Sequence, residues 1–299
     1  MFYMKNINTK NIKSPSYSKS ESFNFGGLAE QNYTKAKVVI LPVPYDATTY
    51  YKPGTKEGPR AIIDASRHME VYDIESGKPI KDTDVFTLEE LEPSKNSPKE
   101  TLLRIEKVVA QILADKKIPL MLGGEHSITA GAIWAFTKAQ KDFSVLQIDA
   151  HSDLRDVFEG TKFHHASVMR RVREKVPSVV QVGIRSMCEE EADYIEKKKI
   201  KNIFFAPKLP IREIVSSLKK NVYLTFDIDA LDPSIMPATG TPEPGGLGWY
   251  EALALLQAVA KEKRIIGADL VELAPVPGLI FPDFLAAKLV YKIILSILK

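Results

Sequence analysis

From residue 36 to the end of the chain, short apolar runs alternate with longer segments of helical periodicity. The apolar runs are predicted to be buried strands, and they comprise residues 38–41, 119–122, 144–148, 179–183, 222–226 and 264–271. The helical segments comprise residues 99–115, 128–139, 189–199, 249–261 and 283–299. Because this alternation is typical of parallel sheets with helices on both faces, the sequence predicts an α/β fold.

The domain organisation is predicted to be simple. No linker-like composition divides the chain after residue 36, which indicates one domain. Residues 1–24 are rich in Asn, Lys and Ser and are predicted to form a flexible tail, ahead of one folded domain over residues 25–299.

Composition excludes several classes of protein. A net charge of +3 and the absence of basic runs give no reason to expect a nucleic-acid partner. No apolar run reaches the ~18 residues that a membrane span needs, so no membrane partner is expected. The single cysteine, Cys188, excludes an internal disulfide framework and favours a reducing compartment such as the cytoplasm.

Polar side chains are concentrated at the ends of three predicted strands. Asp149, His151 and Asp153 occupy alternate positions, so an extended strand would point all three to one side. Ligands in open α/β sheets bind beyond the carboxyl ends of the strands, where these segments should meet. The candidate metal ligands are His126, Asp149, His151, Asp153, Asp227 and Asp229.

Four carboxylates in one place would repel each other, and two divalent cations would balance them. Carboxylate and imidazole ligands suit Mn, with Zn, Fe and Ni as further options. Two such metals share a water and lower its pKa, so that hydroxide is available near neutral pH to attack a planar, electrophilic carbon. The sequence therefore predicts a binuclear metal hydrolase.

Three segments resemble the signature motifs of the ureohydrolase family, which includes arginases and agmatinases. They are Gly123-Gly124-Glu125-His126-Ser127, Asp149-Ala150-His151-Ser152-Asp153 and Thr225-Phe226-Asp227-Ile228-Asp229-Ala230-Leu231-Asp232-Pro233. The resemblance implies a three-layer αβα sandwich, two Mn²⁺ ions per subunit held by the six candidate ligands, and a homo-oligomer, trimeric or hexameric. It also implies that a small guanidino compound is hydrolysed to urea and an amine.

Further roles are carried over by motif. Glu272, in Leu270-Val271-Glu272-Leu273-Ala274-Pro275, resembles the glutamate that pairs with the substrate guanidinium. His165 resembles the family's proton-shuttling histidine, although His164 stands beside it. Asp153 would both bind metal and pass a proton to the leaving amine. Asp232 is predicted to fix the turn before Pro233 rather than to bind metal.

The loop that follows the second motif, residues 154–163, resembles agmatinase sequences. This favours cleavage of agmatine to putrescine and urea, a step of polyamine biosynthesis. Arg155 keeps arginine and other guanidino acids open as substrates, because a guanidinium can clamp a carboxylate. A non-catalytic metal-binding regulator of the same fold and a polyamine deacetylase-type hydrolase are the alternatives of other classes.

Overall fold

The computed structural model describes residues 22–70, 72–79 and 84–299. Its ten strands are β1 Val38–Val43, β2 Tyr72–Asp73, β3 Lys78–Pro79, β4 Val85–Thr87, β5 Ile118–Gly123, β6 Ser144–Ile148, β7 Val179–Ile184, β8 Ile203–Phe205, β9 Asn221–Asp227 and β10 Arg264–Val271. Eight of them form one sheet in the order β4-β1-β5-β10-β9-β6-β7-β8, and every pairing in that sheet is parallel. Strands β2 and β3 form a separate antiparallel pair.

Helices cover both faces of the sheet, which gives a three-layer αβα sandwich in a single domain. The helices are α1 Gly58–Ser66, α2 Pro98–Ala114, α3 Ile128–Ala139, α4 Val168–Arg173, α5 Glu189–Lys198, α6 Ile211–Ser216, α7 Trp249–Glu262 and α8 Phe281–Ile297. One apolar core lies between the sheet and α1, α6, α7 and α8. The other lies between the sheet and α2, α3 and α4, with side chains of α5 at its margin.

The strands are apolar at nearly every position because both faces of the sheet are covered. In β1, Val38 and Ile40 belong to one core, whereas Leu41 and Val43 belong to the other. Strands β5 and β6 divide their side chains between the two cores in the same way. Burial on both faces explains why continuous apolar runs, rather than alternating ones, mark these strands in the sequence.

Each of the six predicted strands and each of the five predicted helices is present, with bounds that differ by at most a few residues. Helix α8 packs on the core, with Leu285, Leu289 and Ile293 buried. Among the described residues, no helix is long and apolar enough to cross a membrane. The predicted flexible tail, residues 1–24, lies outside the described residues except for its last three positions.

Several elements were not predicted. Strands β4 and β8 have three residues each, and β2 and β3 have two each, which is too short to show a periodic pattern. Helices α4 and α6 have six residues each and were missed for the same reason. Helix α1 begins with Gly58-Pro59, residues that without tertiary context indicate a turn.

The topology places four strand ends side by side. Strands β5, β10, β9 and β6 are consecutive in the sheet, so β5 and β6, which follow each other in the chain, are separated by β10 and β9. In β6 and β9, Ile148 lies opposite Phe226, so the residues that follow the two strands begin at the same level. Parallel strands bring all four carboxyl ends to one edge, and the polar motifs begin there.

Packing of helix α3 on helix α2 depends on Gly131. A Cβ atom at this position would lie 2.6 Å from the carbonyl oxygen of Leu102 and 3.0 Å from the Cβ atom of Ile105. Alanine is favoured over glycine by about 0.5–1 kcal/mol within a helix, but overpacking costs about 1–3 kcal/mol. We therefore expect Gly131→Ala to lower the free energy of unfolding by about 1 kcal/mol or more, measured in urea.

The control for this substitution is Thr137→Ala in the same helix, which should change the free energy of unfolding by about 0.5 kcal/mol or less. If Gly131→Ala were as stable as the parent protein, or more stable, the contact between the two helices would not be the constraint described.

Candidate metal centre and substrate cleft

The segment after β6 leaves the sheet with its side chains directed to one place. Regular strand geometry ends at Ile148, so the extended conformation expected through Asp153 is wrong for its last part. Asp153 has a left-handed backbone, with φ of 53°. Its carbonyl oxygen accepts hydrogen bonds from Met169 N and Arg170 N, at the start of α4. Asp149, His151 and Asp153 still converge, but a turn held by a helix terminus brings them together.

The first group of ligand atoms surrounds His126. Its Nδ1 atom lies 3.0 Å from Asp149 Oδ2 and 3.2 Å from Asp227 Oδ2. The three side chains offer one ligand atom each, all within 4.8 Å of one another, and all three residues are buried. Asp153 Oδ2 lies 3.3 Å from the same nitrogen, although Asp153 stands outside this group of three.

The second group consists of Asp149, His151 and Asp229. His151 Nδ1 lies 3.0 Å from Asp229 Oδ2 and 3.7 Å from Asp149 Oδ1. Asp149 thus turns one oxygen to each histidine and belongs to both groups. All six predicted ligands therefore meet at one edge of the sheet, and the arrangement could hold two metal ions with Asp149 between them.

Hydrogen bonds on the far side of His126 determine which ring nitrogen carries the proton. The Thr225 hydroxyl donates to Asp269 Oδ1 at 2.6 Å, so its oxygen is free to accept from His126 Nε2 at 2.8 Å. Asp269 is held by two more donors, the Tyr223 hydroxyl at 2.6 Å and the Thr129 hydroxyl at 3.0 Å. A proton on Nε2 leaves the lone pair of Nδ1 directed at the carboxylates.

The groups around His126 Nδ1 fit a cation. This nitrogen is fully buried and has no hydrogen-bond partner among the described residues, although three carboxylates surround it. Burial, together with the charges of Asp153 and Asp229, raises the pKa of Asp149 to about 7. Burial and the charge of Asp229 likewise raise the pKa of Asp227. A divalent cation would satisfy the nitrogen and offset the repulsion that adds to both pKa shifts.

Glu272 connects the metal-binding edge to His165. It follows β10 with φ of 66°, and its Oε1 atom accepts from His126 N at 2.7 Å and from His165 Nδ1 at 3.0 Å. Burial opposes protonation of His165, but the charge and hydrogen bond of Glu272 outweigh it and raise the pKa to about 9. Within the described part of the chain, Oε2 of Glu272 makes no hydrogen bond, so it remains available to a ligand.

The structure distinguishes the positions of His164 and His165, which are neighbours in the sequence motif. His165 reaches Glu272, whereas the ring of His164 packs edge-on against Phe158 and accepts a hydrogen bond from Ala166 N at 3.2 Å. Burial and the positive charges of His165 and Arg155 lower the pKa of His164 to about 3. His164 is therefore neutral and structural, and His165 is the histidine that faces the site.

An open space of about 320 Å³, here called the cleft, lies above these groups. Its floor is formed by His151, Asp153, His165, Asp227, Asp229 and Glu272. Its outer wall includes Tyr50, Arg155, Phe158, Ser186, Met187, Cys188 and Thr241. The guanidinium of Arg155 lies 4.4 Å above the centre of the Phe158 ring and forms no salt bridge with any residue that the structure describes.

Asp232 has the structural role predicted for it. One of its carboxylate oxygens accepts from Ser234 N at 2.9 Å, and the other accepts from Gly245 N at 3.0 Å and Gly246 N at 3.2 Å. These hydrogen bonds lower the pKa of Asp232 to about 2. The side chain fixes two loops and is not part of either ligand group.

Sequence reasoning assigned no role to the side chains that support the ligands. Thr225 stood within a recognised motif, and Tyr223 and Asp269 lie in predicted strands. A supporting role for Asp269 could have been predicted from the sequence, because a lone carboxylate within an apolar run must be buried with hydrogen-bond partners. The role of Glu191 could not have been predicted. Its carboxylate accepts hydrogen bonds from the Ser152 hydroxyl and Leu154 N, and only folding brings these groups together.

Comparison with known proteins agrees with this geometry. The sequence profile of the arginase family matches residues 36–296. An N(1)-aminopropylagmatine ureohydrolase from Synechocystis is 42% identical over 274 residues, 88% of this chain and 89% of the relative. An agmatinase from Halalkalibacterium halodurans is 36% identical over 252 residues, 83% of this chain and 87% of the relative.

A solved structure shares the whole architecture. The agmatine ureohydrolase of Thermoplasma volcanium superimposes with a TM-score of 0.82 at 31% identity, covering 92% of this chain and 94% of that one. The fold, the metal-binding edge and the family profile lead to one conclusion. The chain belongs to the arginase family, within its agmatinase-like branch of ureohydrolases, which act on guanidino compounds.

Proposed function

We propose that this enzyme cleaves agmatine to putrescine and urea at a dinuclear centre on the floor of the cleft. The observation that carries the proposal is that members of both ligand groups, Asp227 and Asp229, line the same cleft as Glu272. A guanidinium that pairs with Glu272 would therefore lie beside the groups that can hold metal ions. Relatives named agmatinase and N(1)-aminopropylagmatine ureohydrolase support the reaction class.

Mn²⁺ is the metal that we propose for both positions. The ligands would be His126, Asp149, His151, Asp153, Asp227 and Asp229. Oxygen and imidazole donors without thiolate suit this ion. When bound, two such ions would supply a water that is deprotonated near neutral pH.

The substrate guanidinium would be held by Glu272. Its Oε1 atom is already occupied by His126 N and His165 Nδ1, so Oε2 is the oxygen that would accept from the substrate. A guanidinium is planar and permanently charged, and a carboxylate at 5% exposure is a strong partner for it. The same hydrogen bonds that orient Glu272 would thus orient the reacting carbon.

Two groups would handle protons. Asp153 lies on the cleft floor and would pass a proton to the amine that leaves as putrescine. His165 donates from Nδ1 to Glu272, which leaves Nε2 for exchange of a proton between the cleft and solvent. Assembly into a homo-oligomer and a cytoplasmic location remain predictions from the sequence.

A second candidate substrate is N1-aminopropylagmatine, which would yield urea and a triamine. The relative at 42% identity bears this name, and the cleft is open at its outer end, where Tyr50 is 64% exposed. Arginine and 4-guanidinobutyrate are less favoured, because the named relatives act on amines. The guanidinium of Arg155 in the wall, which forms no salt bridge within the described part of the chain, is a feature that would suit a carboxylate.

The experiment that tests the proposal measures urea release by Mn-loaded protein from four compounds in parallel: agmatine, N1-aminopropylagmatine, arginine and 4-guanidinobutyrate. We expect the highest kcat/KM with agmatine. A higher value with N1-aminopropylagmatine would establish the second candidate, and a preference for either guanidino acid would contradict both. No urea from any compound, with two metals bound, would contradict the proposed reaction.

Metal content tests the shared position of Asp149. Because Asp149 belongs to both groups, Asp149→Asn should reduce bound Mn²⁺ from two ions per chain to none or nearly none after dialysis. Asp229→Asn removes a member of the second group alone, so about one ion should remain. Asp156→Asn is the matched control and should retain both ions, since Asp156 pairs with Arg171. Equal losses in the Asp149 and Asp229 variants would contradict the shared ligand.

Substitution of Glu272 tests the guanidinium site. Glu272→Gln keeps the shape of the side chain but removes its charge, and loss of one partner of a buried charge pair costs about 2–5 kcal/mol. We expect kcat/KM for agmatine to fall roughly thirty-fold or more, with two metals still bound. Glu174→Gln, which alters an exposed carboxylate paired with Arg171, is the control. Unchanged kcat/KM in the Glu272 variant would remove the assigned role.

A further inference from the structure

A buried network that does not line the cleft connects three segments around His165. Glu125 is fully buried and lies two residues after the end of β5. Its carboxylate accepts hydrogen bonds from Thr48 N at 2.5 Å, from the Thr48 hydroxyl, and from the Ser127 hydroxyl at 2.5 Å. Glu125 thereby ties the loop that follows β1, which contains Thr48, to the turn that carries His126.

Thr48 extends this network to His165. Its hydroxyl has one hydrogen, which goes to Glu125, so its oxygen can accept from His165 N at 3.1 Å. The other end of His165 is held by the bond from Nδ1 to Glu272 Oε1 at 3.0 Å. The backbone N–H and the ring Nδ1 of His165 therefore each donate to one partner, Thr48 and Glu272, and these two contacts help to place Nε2.

A second contact joins the loop that contains Thr48 to the segment that leads to His165. The rings of Tyr50 and Phe158 pack edge to face, with centres 5.4 Å apart, and Phe158 in turn contacts His164. This aromatic contact holds the loops together through exposed and half-buried side chains, whereas Thr48 is 7% exposed. Loss of the Thr48 hydroxyl should therefore shift His165 without separating the loops.

We propose that Thr48 and Glu125 are positioning residues that set the place of the His165 imidazole in the cleft. The inference rests on the proposed function, in which His165 carries a proton during cleavage of the guanidino group. Neither residue lines the cleft, and both act through the Thr48 hydroxyl. Removing that hydroxyl should impair turnover more than substrate binding, because Glu272 keeps its bond to His126 N.

The first test replaces Thr48 by Val, which has nearly the same shape but neither donates nor accepts a hydrogen bond. We expect kcat for agmatine to fall about ten- to a hundredfold, as for other supporting residues, with KM changed about threefold or less and two metals still bound. Thr48→Ser retains the hydroxyl and should restore kcat to within about threefold of the parent. A rise in KM with unchanged kcat in the Thr48→Val variant would overturn the inference. Failure of Thr48→Ser to restore kcat would overturn it as well.

Thr49→Val is the matched control. Thr49 is the next residue along the loop. Its hydroxyl donates to Asp46 O at 3.2 Å and, among the described residues, makes no hydrogen bond to Glu125 or His165. It should leave kcat unchanged while removing a loop hydroxyl of the same kind. Equal losses in the Thr48 and Thr49 variants would indicate general loosening of the loop and would overturn the positioning role.

A double-mutant cycle with His165→Asn separates this inference from the proposed function. If Thr48 acts through His165, adding Thr48→Val to His165→Asn should lower kcat by less than about twofold more. If the two losses multiply, Thr48 acts elsewhere and the inference is wrong, while the role of His165 stands. If His165→Asn alone has no effect on urea release, both the proton-carrying role and the positioning role are wrong.

Should the Thr48 variant fail to fold, Glu125→Gln provides the same test. Gln has nearly the shape of Glu but offers one acceptor oxygen, so it cannot hold all three donors. A fall in kcat that is absent in the His165→Asn background, with metal content preserved, would support the inference. If the losses of kcat in the Glu125→Gln and His165→Asn variants multiply in the double variant, the inference is overturned.

Discussion

Repulsion among buried carboxylates is the constraint on which the rest of this structure depends. Asp149 is fully buried between two histidines, and Asp227 and Asp229 approach the same place from another strand. Like charges in a poorly solvated site disfavour the ionised state of each group, so the arrangement needs cations to balance it. The fold provides this site by placing β5, β10, β9 and β6 side by side, with their carboxyl ends at one edge.

Two buried relays with the same chemistry support the histidines of the site. In one, Asp269 accepts from the Thr225 hydroxyl, which accepts from the ring of His126. In the other, Glu125 accepts from the Thr48 hydroxyl, which accepts from the backbone of His165. In each relay a carboxylate takes the only hydroxyl hydrogen, so the threonine oxygen can act only as an acceptor toward histidine. The direction of each hydrogen bond to histidine is therefore determined by a carboxylate that does not line the cleft.

Under the proposed function, the reaction and the choice of substrate would depend on different parts of the molecule. The floor of the cleft, with the ligand groups and Glu272, sits on strand ends and suits the guanidino group that all candidate substrates share. The outer wall contains Tyr50, Phe158 and Met187, which lie on connecting segments. Loops accept sequence changes more readily than the strand ends they connect. Under the proposed function, one floor would thus serve guanidino amines or guanidino acids according to the side chains in the wall.

The sequence by itself determined the layered α/β fold, because strands buried on both faces must be apolar along their whole length. It also indicated the six candidate ligands, because their motifs stand at the ends of those apolar runs, whereas Glu272 was indicated by its resemblance to a family motif. Strands of two or three residues, such as Ile203–Phe205, were beyond prediction because they are too short to show a period.

Only the tertiary structure decided how these parts act together. Asp149, His151 and Asp153 meet through the left-handed turn at Asp153, not through the extended strand that their spacing indicated. His165 rather than His164 reaches Glu272, and this choice depends on a residue 107 positions away in the chain. Glu125 stood beside a predicted ligand, but its partner Thr48 lies 77 positions earlier. A linear pattern specifies which side chains are buried, whereas the partner of a buried polar group depends on which loops the fold brings into contact.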